Sequence, residues 1–459
     1  MTNFVEEQIS PISSAEVTAS SDRFLDDYDA APDDEKYPLA RKWMDEQPLE
    51  LFKQLRNERP ILVTPEATIV TKFNDVRDIL QMPTVFTVNL YEPKMEDYLM
   101  KHDDDALHTR EKSFMEGFLN RNDLPHVRNI IARNAQEVLS EANGSMEAVN
   151  AYCRGVPASL VQDYFGFDRI ERKSLIDWSY WSQYNSFHNH HFNLHSDEKF
   201  QHIVAEQKRS GEELADYITG VFARKLIGVK AEQAAGPLLH VWYALAKLAC
   251  KLMGNDRYEV KDDIATRVLR SSFPKEVEFD LVRQGINVGG LLIGAIETTQ
   301  QSVAQAIQYL IKNPEILARA KTAAKKEDTA EFDGYVWEAL RFVPLSPYLF
   351  RQTAEKYTIA KGTNYATTVL PGTTVLIATQ SAMFDEYCYD EAEKFIPERN
   401  WYHHFVFGFG AHECMGKYIG MVMIPEMVRQ IVLLDDLKAE CDIDYRDGPL
   451  PEEYNLTWG

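Results

Sequence analysis

Residues 407–416 read FGFGAHECMG, a loop rich in glycine and phenylalanine that carries one cysteine, Cys414. Residues 417–434 follow with apolar side chains at helical spacing, which predicts a helix directly after the loop. A thiolate at a helix N-terminus is stabilised by the helix dipole and by unpaired backbone N–H groups, which lower the pKa of the thiol and favour metal binding. A lone cysteine is more often a buried, inert side chain, so the spacing of its neighbours has to support the prediction.

The neighbours of Cys414 have a specific spacing. Phe407, Gly410, Cys414 and Gly416 fit the pattern FxxGxxxCxG, and here the chain resembles the cytochrome P450 superfamily, in which this cysteine is the axial ligand of a haem iron. The two glycines leave room for a planar cofactor near the backbone, and Phe407 would shield the sulfur from water. The resemblance implies that Cys414 binds the iron of haem b, iron protoporphyrin IX.

A second landmark precedes the loop. Glu338 and Arg341 lie three residues apart in the helical stretch VWEALRFVP and share one helix face. Such a pair alone is usually a weak surface contact. It is followed by FIPERNW, residues 395–401, whose Arg399 resembles the arginine of the family's PERF segment. The resemblance implies a buried triad of Glu338, Arg341 and Arg399 that holds the cysteine loop behind the haem.

Residues 291–303, LLIGAIETTQQSV, predict an apolar helix that contains an acid and an alcohol. Polar groups in such a helix cost free energy unless they are used. The alternative interpretation is a threonine bonded back to a carbonyl and a glutamate at the helix surface. The segment resembles the family's AGxETT oxygen-activation motif, with Gly294 first and with Glu297 and Thr298 as its acid and alcohol. Ala295 replaces the usual glycine, so we expect a differently shaped groove for dioxygen.

Four further cations match positions that bind haem propionates in this family. His108 resembles the histidine of the family's HxxxR helix, and Lys112 stands in place of its arginine. Lysine can neutralise a carboxylate but lacks the planar fork of arginine. Arg351 and His412 also stand where the family places propionate-binding cations. Together they predict a positive edge for the dianionic cofactor.

Fold class follows from the apolar periodicity. Spacing from about residue 106 to 310 is mostly helical, whereas residues 367–378, TTVLPGTTVLIA, predict short strands around a turn. Residues 61–63 and 68–73 predict two early strands, and Asn74 is a candidate N-cap for the helix after them. The sequence predicts a mainly α fold with a smaller β-rich part, as the cytochrome P450 resemblance implies.

The chain is expected to contain one folded unit. Residues 1–36 are acidic and poor in large apolar groups, which predicts a mobile N-terminal arm. Residues 37–459 are expected to form a single cytochrome P450 catalytic domain, because the landmarks occur in the family order.

Composition excludes several classes of partner. The 459 residues have 71 acidic against 49 basic side chains, a net charge of −22 that on average repels phosphate backbones and anionic lipid surfaces. We therefore expect neither a nucleic acid nor a membrane partner. The first residues lack the basic start and apolar run of a signal peptide, which favours a cytoplasmic protein. The cysteines form no CxxC pair, so neither a zinc site nor a disulfide framework is predicted; they are Cys153, Cys250, Cys388, Cys414 and Cys441.

The resemblance implies a monooxygenase that activates O2 with two electrons and hydroxylates, or O- or N-dealkylates, a small organic substrate. The Cys414 thiolate would donate electron density to the iron, and Thr298 and Glu297 would organise proton delivery. The chain has no glycine-rich dinucleotide motif, so electrons are expected from a separate ferredoxin or flavodoxin and its NAD(P)H reductase.

Two alternative functions stay open: a peroxide-driven haem-thiolate peroxygenase or isomerase, and a non-catalytic haem or gas-binding protein. Glu297 and Thr298 disfavour both, because neither function needs a proton relay.

Two surface features complete the expectations. A basic patch that would receive an acidic electron carrier is expected from Arg110, Lys112, Arg121, Arg128 and Lys417. Residues 178–202 are rich in histidine and aromatic side chains. They are interpreted either as a solvated loop with chance histidines or as a pocket wall for a polar or aromatic substrate.

Overall fold

The computed structural model describes residues 23–103, 105–252, 262–400 and 403–459. From residue 231 to 252, it describes the side chains of residues 231–234, 241–242, 244–245 and 248–249. The first 22 residues of the expected arm and the side chain of Cys250 lie outside the described part of the chain.

The described fold is mainly helical, as predicted. Its α-helices are α1 Phe24–Ala30, α2 Asp33–Glu46, α3 Pro48–Glu58, α4 Phe73–Leu80, α5 Ala106–Phe118, α6 Leu124–Glu141, α7 Gly155–Leu160, α8 Arg172–His188, α9 Asp197–Leu252, α10 Ile264–Arg270, α11 Leu281–Ala295, α12 Glu297–Lys312, α13 Pro314–Ala324, α14 Ala330–Phe342, α15 Thr379–Ala382 and α16 Lys417–Val432.

Short strands form three small sheets in the described ranges. The strands are β1 Ile61–Val63, β2 Thr68–Val70, β3 Phe86–Thr87, β4 Ser145–Glu147, β5 Leu349–Thr353, β6 Tyr357–Ile359, β7 Thr367–Val369, β8 Thr374–Ile377, β9 Lys438–Ala439 and β10 Asn455–Thr457. The sheets have the strand orders β1-β2-β8-β5-β3, β4-β10-β9 and β6-β7. Arg351 on β5 lies opposite Val375 on β8, which fixes this arginine in the five-stranded sheet.

The predicted strands are confirmed with two differences. β2 ends at Val70 rather than at residue 73. The strands on either side of Pro371 and Gly372 do not pair with each other: β7 pairs with β6, whereas β8 joins the five-stranded sheet. The prediction of Asn74 as an N-cap is wrong, because α4 begins at Phe73. The Asp385 carboxylate accepts the Phe73 N–H at 2.9 Å and takes the place of a local cap.

Helix α16, which follows the cysteine loop, is central to the core. It packs against α6, α12 and α14, and it buries a row of apolar residues that includes Ile419, Met423 and Met427. This burial anchors the start of α16, and with it the end of the cysteine loop, to the helical core. Among the described residues, no helix combines the length and apolar composition needed to span a bilayer.

The prediction of a mobile arm is wrong for residues 23–36. These residues form α1 and the start of α2, and α1 buries Phe24, Leu25 and Tyr28. The Phe24 ring packs edge-on against Trp43 of α2 at 5.2 Å, and the Tyr28 hydroxyl donates to the Val63 carbonyl at 2.7 Å. Three large side chains offset the ordering cost of an otherwise acidic segment.

We predict that Phe24→Ala destabilises the protein by about 3 kcal/mol, because it removes a buried ring and leaves a cavity. Thermal or urea denaturation of the purified protein measures this as a lower midpoint. Asp26→Ala, on the exposed face of the same helix, is the control and should leave the midpoint nearly unchanged. Equal midpoints for the two variants would contradict docking of α1 on the core.

Candidate active site

The cysteine loop is fixed by its own backbone. The Cys414 N–H donates to the Phe407 carbonyl at 2.8 Å, and the Glu413 N–H donates to the Gly410 carbonyl at 3.0 Å. Gly410 has a φ of +77°, and a Cβ there would lie 2.4 Å from the Leu80 carbonyl oxygen. Position 410 therefore requires glycine both for its conformation and for the close approach of the backbone at the end of α4.

The Cys414 side chain keeps contact with solvent although protein atoms surround it closely, and the Gly416 N–H donates to its sulfur. Burial raises the pKa of this thiol, while the Gly416 N–H and the Lys112 cation act in the opposite direction. The expectation of a lowered pKa is therefore wrong for the side chain alone, because desolvation outweighs these donors. A bound metal cation would supply the missing stabilisation of the thiolate.

Glu338, Arg341 and Arg399 are joined in the structure. Arg341 donates to both carboxylate oxygens of Glu338 at 2.7 and 3.0 Å, and the Nε of Arg399 donates to Glu338 at 3.1 Å. Arg341 is fully buried and also donates to the carbonyls of Met383, Ala392 and Lys394. These bonds tie α14 to the irregular segment that leads into the cysteine loop.

The structure places the expected propionate cations close together. The rings of His108 and His412 are 4.5 Å apart, and the buried ring nitrogens of His412 have no hydrogen-bond partner among the described residues. Arg351 is buried and donates to the Phe350 carbonyl at 2.8 Å. Burial and the cations Arg351, His108 and Lys112 lower the pKa of His412 to about 2. Such a cluster is costly unless an anion lies against it.

Lys112 has a different contact from the expected one. Its Nζ donates to the carbonyls of Ala411 and Glu413 at 2.6 and 2.7 Å, on either side of His412. Lys112 therefore fastens α5 to the cysteine loop and supports the cation cluster by its charge.

These residues fit haem. A thiolate donor, Cys414, lies on a loop that requires glycine at residue 410. His412, whose ring nitrogens have no partner in the described part of the chain, and the buried Arg351 lie two and 63 residues away in sequence. A planar group with one axial thiolate and two carboxylates matches this donor set.

The helical segment that carries Glu297 and Thr298 is interrupted at Ile296, between Gly294 and these two residues. α11 ends at Ala295 and α12 begins at Glu297, with Ile296 between them. The Thr298 hydroxyl donates to the Gly294 carbonyl across this break. Thr298 is half-buried and Gly294 is exposed with open space at its Cα, whereas the methyl group of Ala295 is buried. In this conformation, Thr298 therefore agrees with the alternative interpretation of the sequence, in which the threonine bonds back to a carbonyl of the preceding turn.

Glu297 is paired inside the protein. It is 0% exposed, and its two carboxylate oxygens accept bonds from Arg154 at 2.8 and 3.0 Å. Arg154 also donates to Glu452 at 3.2 Å. Burial raises the pKa of Glu297, and Arg154 opposes this shift. Arg154 is not among the predicted site residues; an arginine within the apolar stretch VNAYCRGVPASL, residues 149–160, was the available signal.

A cavity of about 540 Å³ lies between α9 and α11. At one side the Tyr98 ring rests on Gly290, where a Cβ would lie 2.2 Å from the ring. Burial raises the pKa of Tyr98, and the negative charge of a Cys414 thiolate adds to this shift, so the two groups are within electrostatic reach. The walls are mainly apolar; they include Leu214, Ile218, Phe222, Leu226, Ile286 and Ile293.

The histidine and aromatic side chains of residues 178–202 are not among the described residues that line this cavity, whereas Ser182 of the same segment is. His190 stacks on Phe192 at 5.0 Å, and its ring bonds to the Ser186 carbonyl at 2.8 Å. The ring of His195 bonds to the His188 carbonyl at 2.7 Å. Burial lowers the pKa of His188 and of His190 to about 3. These side chains pack the loop between α8 and α9, which does not support the expectation that they form a polar wall of this cavity.

The expected basic patch is largely neutralised. Arg128 pairs with Asp333 and Glu426 at 2.8 and 3.0 Å, and Lys417 pairs with Glu413 at 2.6 Å. Two further members have other contacts: Arg110 lies 4.0 Å from Glu278, and Arg121 lies over the Tyr418 ring at 3.7 Å.

Comparisons of sequence and structure identify known proteins that are similar to this chain. The sequence pattern of the family "Cytochrome P450" matches residues 261–434. Pulcherriminic acid synthase from Bacillus subtilis is 21% identical over 88% of this chain and 92% of its own length. Steroid C26-monooxygenase from Mycobacterium tuberculosis is 28% identical over 35% of this chain and 40% of its own length. The structure of cytochrome P450 CYP109Q5 from Chondromyces apiculatus shares the fold, with a TM-score of 0.68, 17% identity and coverage of 90% of this chain and 96% of that chain.

We predict that Glu338→Ala destabilises the protein by about 3–5 kcal/mol, because Arg341 would keep a buried charge without its carboxylate. Denaturation midpoints and the cofactor content of the purified protein measure the effect. Glu391→Ala is the matched control, since Glu391 is an exposed carboxylate that pairs with Lys394 in the same region. A Glu338→Ala protein with the control's midpoint and full cofactor content would show that the network is dispensable.

Proposed function

We propose that this chain, a haem b monooxygenase of the cytochrome P450 superfamily, acts on a small, predominantly apolar organic molecule. We further propose that it receives electrons from a separate ferredoxin or flavodoxin and its NAD(P)H reductase. When bound, the haem supplies the redox chemistry that activates dioxygen.

The observation that supports the substrate proposal is the cavity between α9 and α11. Its lining includes Gly289, Gly290 and Ile293 of α11. Ile293 directly precedes Gly294 and lies about one and a half helical turns before Thr298. An apolar molecule in this cavity gains free energy from desolvation, and few polar groups there would bind a strongly polar one. The substrate class expected from residues 178–202 is therefore replaced by an apolar one.

The residues that would hold the cofactor have distinct roles. Cys414 would ligate the iron, and His108, His412 and Arg351 would bind the propionates. Phe407 would cover the sulfur; its ring is 5.6 Å from the Trp337 ring, which keeps it in place. Lys112 would hold the loop through its carbonyl bonds.

Proton delivery is assigned to Glu297 and Thr298. In the described conformation the Thr298 hydroxyl donates to the Gly294 carbonyl, and Arg154 binds both oxygens of Glu297. Turnover therefore requires that the hydroxyl rotate into the space beside Gly294 and that Glu297 exchange its Arg154 bonds for a proton. The helix break at Ile296 supports this assignment, because it frees the Gly294 carbonyl from regular helix bonding.

A separate electron carrier is supported by the absence of a dinucleotide-binding motif from the sequence. Reaction with dioxygen, NADH and a ferredoxin–reductase system, compared with hydrogen peroxide alone, separates this proposal from a peroxide-driven enzyme. Product formation with peroxide only would contradict it, and absence of any product with bound haem would favour a gas-binding protein.

We predict that Cys414→Ser abolishes the thiolate-type Soret shift of the reduced, carbon monoxide-bound protein, because serine is a poor ligand for the iron. Cys388→Ser is the control, since Cys388 is a half-buried free thiol outside the loop and should leave the spectrum unchanged. A normal spectrum for the Cys414 variant would overturn the assignment of the ligand.

We predict that Thr298→Ala lowers the ratio of product formed to NAD(P)H consumed by at least about tenfold, because the hydroxyl organises proton delivery. Haem content should stay the same, and more of the consumed oxygen should appear as hydrogen peroxide. Ser302→Ala is the matched control: the Ser302 hydroxyl donates to the Thr298 carbonyl at 2.8 Å, so it makes the same kind of bond one turn later. An unchanged ratio for Thr298→Ala would assign this residue to helix structure alone.

A further inference from the structure

Helix α9 continues well beyond the core. It has 56 residues, which corresponds to about 84 Å of helix. Its first part packs against α8, α10 and α11, and the last described contacts with the body are made near Val229, which is buried, and Glu232, which pairs with Arg270 at 2.8 Å. From residue 234 onward, every side chain that the structure describes in α9 is exposed.

The exposed part of α9 has an apolar face. Val241, Trp242, Leu245 and Leu248 are 55–59% exposed. Val241, Leu245 and Leu248 follow the i, i+4, i+7 spacing of one helix face, and Trp242 and the exposed Ala249 extend it sideways. This face is wider than the narrow seam of a coiled coil. Large exposed apolar faces mark interaction surfaces.

Residues 233–255 differ in charge from the rest of the chain. The sequence has no acidic residue between Glu232 and Asp256, although 71 of the 459 residues are acidic. Lys247 and Lys251 lie within this stretch. A helix segment with an apolar face, a tryptophan and only basic charges is complementary to an anionic lipid surface. The net charge of −22 repels anionic lipid on average over the whole chain, but residues 233–255 have no acidic side chain that would contribute to this repulsion.

The apolar face and part of the cavity lining lie on the same helix, α9. Leu226, Leu281 and Val282 line the cavity, and Leu281 and Val282 are also exposed. Ile227, next to Leu226 on α9, is 72% exposed. The mouth of the cavity thus has an apolar rim at the point where α9 leaves the body of the protein.

We propose that residues 233–252 of α9 lie in the surface of an anionic phospholipid bilayer, with the cavity mouth facing the lipid. A helix of this length at the interface anchors a protein through its apolar face and basic residues without crossing the bilayer. The attachment rests on the described apolar side chains and on the charge of the sequence in residues 233–252, whereas entry of an apolar substrate from the bilayer rests on the proposed function.

A second copy of the chain fits the same face less well. Paired helices usually carry complementary charges beside the apolar seam. Residues 233–255 offer lysines and no acid, so two copies would bring like charges together.

Flotation of the haem-loaded full-length protein with vesicles tests the proposal. Vesicles of 30% phosphatidylglycerol in phosphatidylcholine should carry the protein upward at 50 mM NaCl, and binding should fall at least about threefold at 500 mM NaCl or with pure phosphatidylcholine. Leu245→Asp, in the middle of the apolar face, should reduce binding at least about tenfold. Leu370→Asp is the control, because Leu370 is 58% exposed but lies in the β7–β8 turn; it should bind like the unchanged protein.

Sedimentation velocity and the haem spectrum of each variant accompany the flotation. Absence of binding to the anionic vesicles, or equal binding by both variants, would overturn the proposal. A dimer that Leu245→Asp converts to a monomer, without vesicle binding, would also overturn it and assign the face to a second copy. Product formation in solution is measured separately, so a failure of lipid binding does not affect the proposed reaction.

Discussion

The buried guanidinium of Arg341 is the interaction on which the site depends. Its two bonds to Glu338 neutralise its charge, and its remaining N–H groups donate to main-chain carbonyls of Met383, Ala392 and Lys394. A fully buried arginine is tolerated only when charge and donors are all satisfied. Since those carbonyls belong to irregular chain, one side chain of α14 gives a segment without secondary structure a fixed path toward Cys414.

The fixed path of this segment brings the five-stranded sheet and the helical core together at the site. The five-stranded sheet positions Arg351, and the helical core positions Cys414 through the buried α16. The cysteine loop lies between them and is fastened at Gly410 to the end of α4 and by Lys112 to α5. A cofactor with a metal at its centre and carboxylates at its edge needs this combination of elements that are remote in sequence.

The features of the fold and the site that could be predicted were those for which the spacing of residues in the sequence favours a single local structure. The loop around Cys414, the pair Glu338 and Arg341, and the strands around Pro371 belong to this class. Arg154 could not be assigned, because a buried ion pair is formed by residues 143 positions apart. Docking of α1 depends on Trp43 and Val63, which an acidic composition does not reveal. The raised pKa of Cys414 depends on burial, which spacing around a cysteine does not measure.

The surroundings of Arg154 explain how a buried acid can change its protonation state. A carboxylate locked to a single arginine cannot accept a proton without leaving that arginine charged and unpaired, which is strongly unfavourable. Arg154 has other acceptors: Glu452 at 3.2 Å, the Asn150 side-chain oxygen at 2.8 Å and the Pro451 carbonyl at 3.2 Å. When Glu297 is neutralised, these groups still satisfy the guanidinium. Because burial raises the pKa of Glu297, its neutral form is the less costly one in this site as the pH falls through that pKa. An acid in these surroundings can therefore take up and release protons while Arg154 keeps its partners.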